Sequence, residues 1–295
     1  MGLSIAEYRA LPHFSYSQIS AYIKSPIQYK KVYIDGEKQD WGHKPAMITG
    51  DLIDTILTAP DTFKERFLVR DYQKPSGQLL EYVEFLVAAS TIKLEVSAEE
   101  YAFRMVGAKK RTLEYFKEEF DKSGRDYYEF RTSDITWVTP FEYDRALLVV
   151  NKLESNPETA KLLEGTERQK AFIKEDCFGG YTFKGLLDMY KVGCATDLKI
   201  VSEESPKQFE SKIKMFNYHI QSAVYTEITG EKDLNFLVVN PNYPDYPMIW
   251  KLSEKDLEFG KQEIIRCLRE IEQRVESNNW YYPITGMYGI TNIFG

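Results

Sequence analysis

The sequence predicts an α/β (α+β) domain in which a small mixed central sheet is flanked by helices. Three observations predict it. The N-terminal half reads as helices punctuated by prolines and cap residues. From about residue 169 to 201 the chain turns β-branched and aromatic, broken at Gly179-Gly180 and Val192-Gly193, as a short antiparallel meander would be. Beyond it come a helical stretch, a strand and a further helix.

Taken in order, Ser17 can cap a helix running through Ile19, Tyr22 and Ile23 until Pro26 interrupts it. A second helix fits residues 48–57, ending before Ala59-Pro60. Lys74-Pro75-Ser76-Gly77 reads as an exposed loop, and the helical stretch after it holds a capping box from Ser97 to Glu100. Thr139-Pro140-Phe141-Glu142 supplies a cap residue, a proline at the first helical position and an acid at the third. A helix from there to about Ser155 should stop at Asn156-Pro157. After the meander, helices are expected over residues 206–229 and 253–277, with a strand over 234–239 between them. There is no internal repeat.

Bulk properties narrow the function. At 295 residues, with 43% hydrophobic and 28% charged residues, the chain can bury a substantial core as an ordinary globular protein. No apolar run is long enough to span a bilayer. The N-terminus lacks a basic segment followed by an apolar one, and Ala6 stands where a myristoylation signal wants Ser or Thr. Cys177, Cys194 and Cys267 are too few and too scattered for a disulfide framework or a zinc site, and read as reduced thiols of a cytoplasmic protein. The net charge of -7 argues against a protein that coats nucleic acid, while leaving a local grip open. Lys30-Lys31, Lys109-Lys110-Arg111 and Lys207/Lys212/Lys214 are the basic patches, each equally readable as a solvated helix face. His13, His43 and His219 fall in no metal-ligand or triad spacing, and no phosphate-binding glycine loop is present.

The informative segment runs from Lys184 through Asp188 and Asp197 to Lys199. A hairpin turning at Val192-Gly193 sets Asp188 opposite Asp197, with Cα atoms roughly 4.5–5.5 Å apart. Strand alternation puts Lys199 on the face of Asp197, and Lys184 on that of Asp188. Facing carboxylates repel unless a cation lies between them, and hard oxygen ligands suit Mg²⁺ or Mn²⁺. Spacing alone leaves open a surface hairpin with cross-strand Asp–Lys pairs. On the following helix, Tyr218, Gln221 and Tyr225 fall at i, i+3 and i+7 and share one face, and Phe209, Ile213, Phe216, Ile220 and Val224 make an adjoining apolar stripe.

An Asp-Leu-Lys tripeptide with an acid nine residues earlier across a glycine turn resembles the PD-(D/E)xK nuclease superfamily. The segment from Phe14 to Tyr29 resembles the "S-x-S-x-(I/L)…P-x-x-(Y/F)" element of its RecE-like and RecB-like branches. Gly50 to Pro60 is similar to their "G-x-x-x-H…L-L-x-x-P" helix, with Asp54 where the histidine stands. Tyr218 to Tyr225 matches "Y-x-x-Q-x-x-x-Y", and Glu167 sits where the family often has a glutamate. The tripeptide is followed by Ile200 in place of the usual threonine, and Trp280-Tyr-Tyr-Pro283 resembles the family's aromatic–proline ending. The four motifs occur in the family's order.

The resemblance implies a restriction-endonuclease-like core in one nuclease domain. Residues 1–75 would be an N-terminal helical lobe, 76–160 a helical insertion and 161–295 the catalytic core. It implies a metal-dependent exodeoxyribonuclease of the RecE-like type that degrades linear double-stranded DNA from its ends, 5′ to 3′, in phage-type recombination. Such an enzyme would form a closed homo-oligomeric ring and work with a single-strand annealing protein. Asp188 and Asp197 would bind Mg²⁺ or Mn²⁺ with Asp54 completing the shell, Lys199 would stabilise or position the nucleophile, and Gln221 would assist, with Lys184, Tyr218 and Tyr225 in support. The alternatives are a structure-specific or repair endonuclease on the same core, and an inactive DNA-binding or assembly module.

Overall fold

The computed structural model describes residues 5–37, 45–202 and 205–281, so His43 and Pro283 lie outside the described residues. Two compact units divide the chain: Met1–Lys44 with Asn151–Gly295, and Pro45–Val150.

The first unit opens with α1 (Ile5–Ala10), α2 (Tyr16–Lys24), α3 (Pro26–Tyr29) and a π-helical turn over Lys30–Ile34. Ser15 rather than Ser17 holds the N-cap position of α2, in extended conformation. Pro26 interrupts α2 as expected and also starts α3, whose cap Ser25 accepts from the Gln28 N–H at 3.2 Å.

The second unit contains α4 (Pro45–Thr58), α5 (Phe63–Arg66), β1 (Phe67–Val69), α6 (Gly77–Ala89), α7 (Ala98–Val106), α8 (Leu113–Glu119), α9 (Arg125–Thr132), β2 (Thr136–Val138) and most of α10 (Pro140–Ser155). β1 and β2 pair in parallel. That ladder binds residues on both sides of position 75 into one unit, and three-residue strands are too short to leave a periodicity in the sequence. Tyr82, Leu86, Ala102 and Phe116 form a buried cluster among its helices, with the Tyr82 and Phe116 rings stacked at 5.1 Å. Both expected cap residues are in place, but the reciprocal box is complete only at Thr139 and Glu142. Ser97 accepts from Glu100 N–H, while Thr139 and Glu142 bond reciprocally.

The first unit resumes with α11 (Pro157–Leu163) and then β3 (Glu167–Cys177), β4 (Tyr181–Lys191), β5 (Cys194–Ile200), α12 (Pro206–Met215), α13 (Tyr218–Thr229), β6 (Leu234–Val239), β7 (Met248–Trp250) and α14 (Glu254–Ser277). The five strands make one mixed sheet in the order β3-β4-β5-β6-β7, with β5 and β6 parallel and the other pairs antiparallel. β6 is buried along its whole length, as a central strand covered on both faces must be. The helix expected over 206–229 is two helices. Asn217 adopts the left-handed conformation (φ 57°) between them, one of the few non-glycine residue types to which that region is open.

The core of this unit lies where α13 covers the sheet and α14 covers α13. Phe183, Leu187 and Phe236 from the strands meet Ile220 and Val224 of α13, and Ile264 and Leu268 of α14 join the same cluster. Trp280 is buried with its ring stacked on Tyr29 at 5.9 Å, which makes the end of the described chain a packing anchor. The two α-helices cross where Gly260 has no side chain: a Cβ there would lie 2.5 Å from the carbonyl oxygen of His219.

A Gly→Ala change inside an exposed helix ordinarily stabilises by up to about 1 kcal/mol. Gly260→Ala should instead destabilise by roughly 1–3 kcal/mol, because the added methyl meets backbone rather than a movable side chain. Urea unfolding followed by circular dichroism measures it. A higher midpoint than wild type would mean that α13 and α14 do not approach so closely.

Candidate active site

Asp188 occupies a gap in the sheet. The β3–β4 ladder pairs Arg168 with Met189 and Lys170 with Leu187 in one register, but the pair between them, Gln169 with Asp188, is missing, and Gln169 has a φ of 48°. On the other side, β4 and β5 pair through Lys191↔Cys194, Tyr190↔Ala195 and Met189↔Thr196, the register expected from a turn at Val192-Gly193. The ladder ends there, one pair before Asp188 and Asp197 would face each other. The Asp188 side chain takes over the lost backbone interactions. Its Oδ2 accepts from the Leu198 N–H at 2.8 Å, and its Oδ1 lies 3.4 Å from Gln169 Nε2. No sequence signal marks Gln169 for a left-handed backbone, and it is the neighbour of the site that sequence reasoning missed.

Asp197 is buried on β5 between two partners. Gln221 Nε2 of α13 donates to its Oδ1 at 2.6 Å, and Lys199 Nζ lies 2.5 Å from its Oδ2. The Lys199 ammonium also lies over two ring faces, 4.8 Å from the centre of Tyr218 and 5.8 Å from that of Phe236. Burial alone would lower the lysine pKa, but the Asp197 carboxylate outweighs it and raises the pKa above the usual range. The stabilisation from this pair is present below the unfolded-state lysine pKa of about 10.4 and is lost only as pH rises past the folded one, so Lys199 is cationic throughout the neutral range.

The surroundings come from α13, β4 and the N-terminal helices. Tyr225 is buried and donates to the Leu186 carbonyl oxygen at 3.1 Å. Burial, then the charges of Asp197 and Asp188, push its pKa well above the ordinary value. Its ring rests on Gly185, where a Cβ would come within 2.9 Å of the ring and 2.3 Å of Ile228 Cδ1. Tyr218 stacks on Phe236 at 5.3 Å, forming the floor under Lys199. Tyr16 of α2 is held by a 2.6 Å hydrogen bond to the Phe216 carbonyl oxygen and feels the charges of Lys199 and Asp197.

The other sequence candidates are placed differently. Lys184 shares the strand face of Asp188, but its ammonium donates to the carbonyl oxygens of Tyr8, Arg9 and Leu11 at 2.7–3.2 Å. It ties the end of α1 to the sheet instead of facing the carboxylates. Glu167 is exposed and pairs with Lys170 at 2.6 Å. Asp54 belongs to the second unit, half-buried on α4, where Thr58 donates to its Oδ1 at 3.1 Å. His219 lies beside Phe259, and His13 offers its carbonyl oxygen to Gln18.

Among the described residues no three His, Cys, Asp or Glu side chains converge on one point. The donors that do come together suit a hard divalent cation nonetheless. Asp188 and Asp197 supply carboxylate oxygens, and Gln221 Oε1 is buried without a hydrogen-bond partner among the described residues.

Lys199→Met tests the electrostatics without any substrate. It leaves the Asp197 carboxylate buried without its counter-charge and should cost about 3 kcal/mol of stability at pH 7. Urea unfolding at pH 7 measures it, and an unchanged midpoint would contradict the pairing.

The family model described as "PDDEXK-like domain of unknown function (DUF3799)" matches residues 15–280. Among solved structures the chain is similar to a protein provisionally described as an exonuclease from Eubacterium rectale, with 17% identity, a TM-score of 0.56, and coverage of 94% of this chain and 88% of that one. An alkaline exonuclease from Laribacter hongkongensis matches at 12% identity and a TM-score of 0.28, covering 65% of this chain and 89% of that one. No curated protein matches the chain. The first structural likeness supports the mixed sheet with flanking helices, and the family match runs through every element from α2 to α14. The chain belongs to the PDDEXK-like family DUF3799.

Proposed function

We propose that this chain is a metal-dependent exodeoxyribonuclease acting on the ends of linear double-stranded DNA. The observation that carries the reading is the convergence of Asp188, Asp197, Lys199 and Gln221 at the gap between β4 and β5, under α13. Membership of a PDDEXK-like family and the exonuclease description of the Eubacterium rectale neighbour support it. Degradation from 5′ to 3′, a ring-shaped homo-oligomer, an annealing-protein partner, a cytoplasmic location and a role in phage-type recombination are the finer parts of the proposal, and rest on the RecE-like sequence motifs.

In this reading Asp188 and Asp197 hold Mg²⁺ or Mn²⁺, with Asp54 as a further ligand. The bound cation supplies an acidified water and a polarised phosphoryl oxygen. The chain's own groups divide the remaining work. Lys199 is already protonated and paired with a carboxylate, so it stabilises charge developing on the phosphate and does not serve as the proton acceptor. Gln221 fixes the rotamer of Asp197 through its amide N–H, and its Oε1, buried without a partner among the described residues, would be available to accept from a water. Tyr218 holds the ammonium of Lys199 over its ring, and Tyr225 ties α13 to the backbone of β4.

Digestion of matched linear and closed-circular duplex DNA in Mg²⁺ is the direct test. The linear form should disappear and the circle persist, with Asp197→Ala and Lys199→Ala each lowering the rate by at least about 10²–10³-fold. Cutting of the circle would indicate an endonuclease on the same core. If neither DNA is touched in Mg²⁺ or Mn²⁺, the chain is a binding or assembly module. Asp54→Ala should raise the Mg²⁺ concentration needed for half-maximal rate, and an unchanged requirement would remove Asp54 from the shell.

A further inference from the structure

A pocket of about 370 Å³ lies in the first unit beside the carboxylates, and no step described above uses it. Tyr8, Tyr16, Tyr33 and Tyr225 line it with Arg9 and Lys184, and no Asp or Glu is among its described lining residues. In a chain of net charge -7, a cationic and aromatic hollow free of acids is a local reversal of the surface. It adjoins the site through shared residues. Tyr16 feels the charges of Lys199 and Asp197, and Tyr225 those of Asp197 and Asp188. Along β4, Lys184 and Asp188 are four residues and therefore about 13 Å apart, within reach of one nucleic acid strand.

The donors in the pocket decide what class of group it suits. The Lys184 ammonium has its three N–H groups committed to carbonyl oxygens, so it contributes charge and a buried stem but no free donor. What remains is tyrosine ring surface, edged by the Arg9 guanidinium and the polar side chains of Ser15, Ser17 and Gln18. Tyr33 is 38% exposed, yet its position is fixed from behind: its ring lies 5.3 Å from that of buried Tyr29, which in turn stacks on Trp280. It projects from the π-helical turn Lys30–Ile34, a widened geometry that is frequent at functional sites. An aromatic ring held at a pocket rim by a second, buried ring is a rigid stacking surface.

We propose that this pocket takes up an unpaired base of the substrate strand close to the scissile phosphate, stacked on Tyr33 and Tyr8. The proposal rests on the nuclease reading above. Base–aromatic stacking is indifferent to base identity, which suits an enzyme that must accept every nucleotide in turn.

Photocrosslinking tests it. Two linear duplexes carry 5-iododeoxyuridine as the last nucleotide of either the 5′ or the 3′ end, and are bound to Asp188→Asn in Mg²⁺ so that the DNA stays intact. Irradiation and mass spectrometry should place the crosslink on Tyr8, Tyr16 or Tyr33 with one of the two duplexes. In steady-state digestion, Tyr33→Leu should raise the KM for linear duplex by roughly 5- to 100-fold, the loss of one stacked base. Tyr246→Leu, an exposed tyrosine outside the pocket, should not change it. Crosslinks only elsewhere, or equal KM values for wild type and Tyr33→Leu, overturn the pocket while leaving nuclease activity standing. A wild-type protein that neither binds nor degrades DNA overturns both readings.

Discussion

Everything around the site follows from one constraint: two carboxylates must be kept close together, and largely out of water, on adjacent strands of one sheet. A regular hairpin would set Asp188 against Asp197 with full backbone pairing. Here the ladder stops at Met189↔Thr196, and Asp188 Oδ2 accepts the Leu198 N–H that the missing pairing leaves without a strand partner. A charge-assisted bond to a backbone donor is stronger than a neutral one, so the gap costs the sheet little and fixes the carboxylate's direction. On the β3 side the pair of Gln169 with Asp188 is missing as well, where Gln169 takes a left-handed backbone. The acid is thus part of the sheet's own hydrogen bonding, and its position is set before any ligand arrives.

The covering helix solves the other half of the problem. Its residues Tyr218, Gln221 and Tyr225 lie on one helical face, and each meets the sheet with a different chemistry: a ring face for the Lys199 ammonium, an amide for Asp197 and a hydroxyl for the Leu186 carbonyl. This face can be aimed independently of α12 because Asn217 breaks the helix just before it. Close approach needs small partners on both sides. Gly185 lets Tyr225 lie against β4, and Gly260 lets α14 lie against α13.

Much of this was legible in the sequence, for reasons that also mark the limits. The meander, β6 and α14 carry strong periodicities and turn or cap residues, and the hairpin register follows from Val192-Gly193. The motif order from Phe14 to Tyr225 pointed to the PD-(D/E)xK core, and the family match agrees with it. What was not legible depends on tertiary choices. Ser15 and Ser17 are equally good cap residues, and only packing decides between them. The Asp-Leu-Lys tripeptide singles out Lys199, but nothing local shows that the ammonium of Lys184 is claimed by α1 and not by the carboxylates. The β1–β2 ladder joins segments nearly seventy residues apart, which no local pattern encodes.

The distribution of charge bears on how a chain of net charge -7 could handle a polyanion. Counting formal charges, Asp188, Asp197 and Lys199 leave one negative charge in a poorly hydrated place, where it would repel phosphate strongly. A divalent cation, if the two carboxylates held one, would reverse that sign and leave one net positive charge at the same point. Attraction for DNA at the reacting centre would then depend on metal loading, whereas Arg9 and Lys184 keep the neighbouring pocket positive throughout. A sequence with an overall acidic balance is therefore compatible with a nucleic acid substrate, provided that the field reverses locally. Lys184, buried on the carbonyl oxygens at the end of α1, and Lys199, largely covered beside Asp197, would supply positive charge at that reversal.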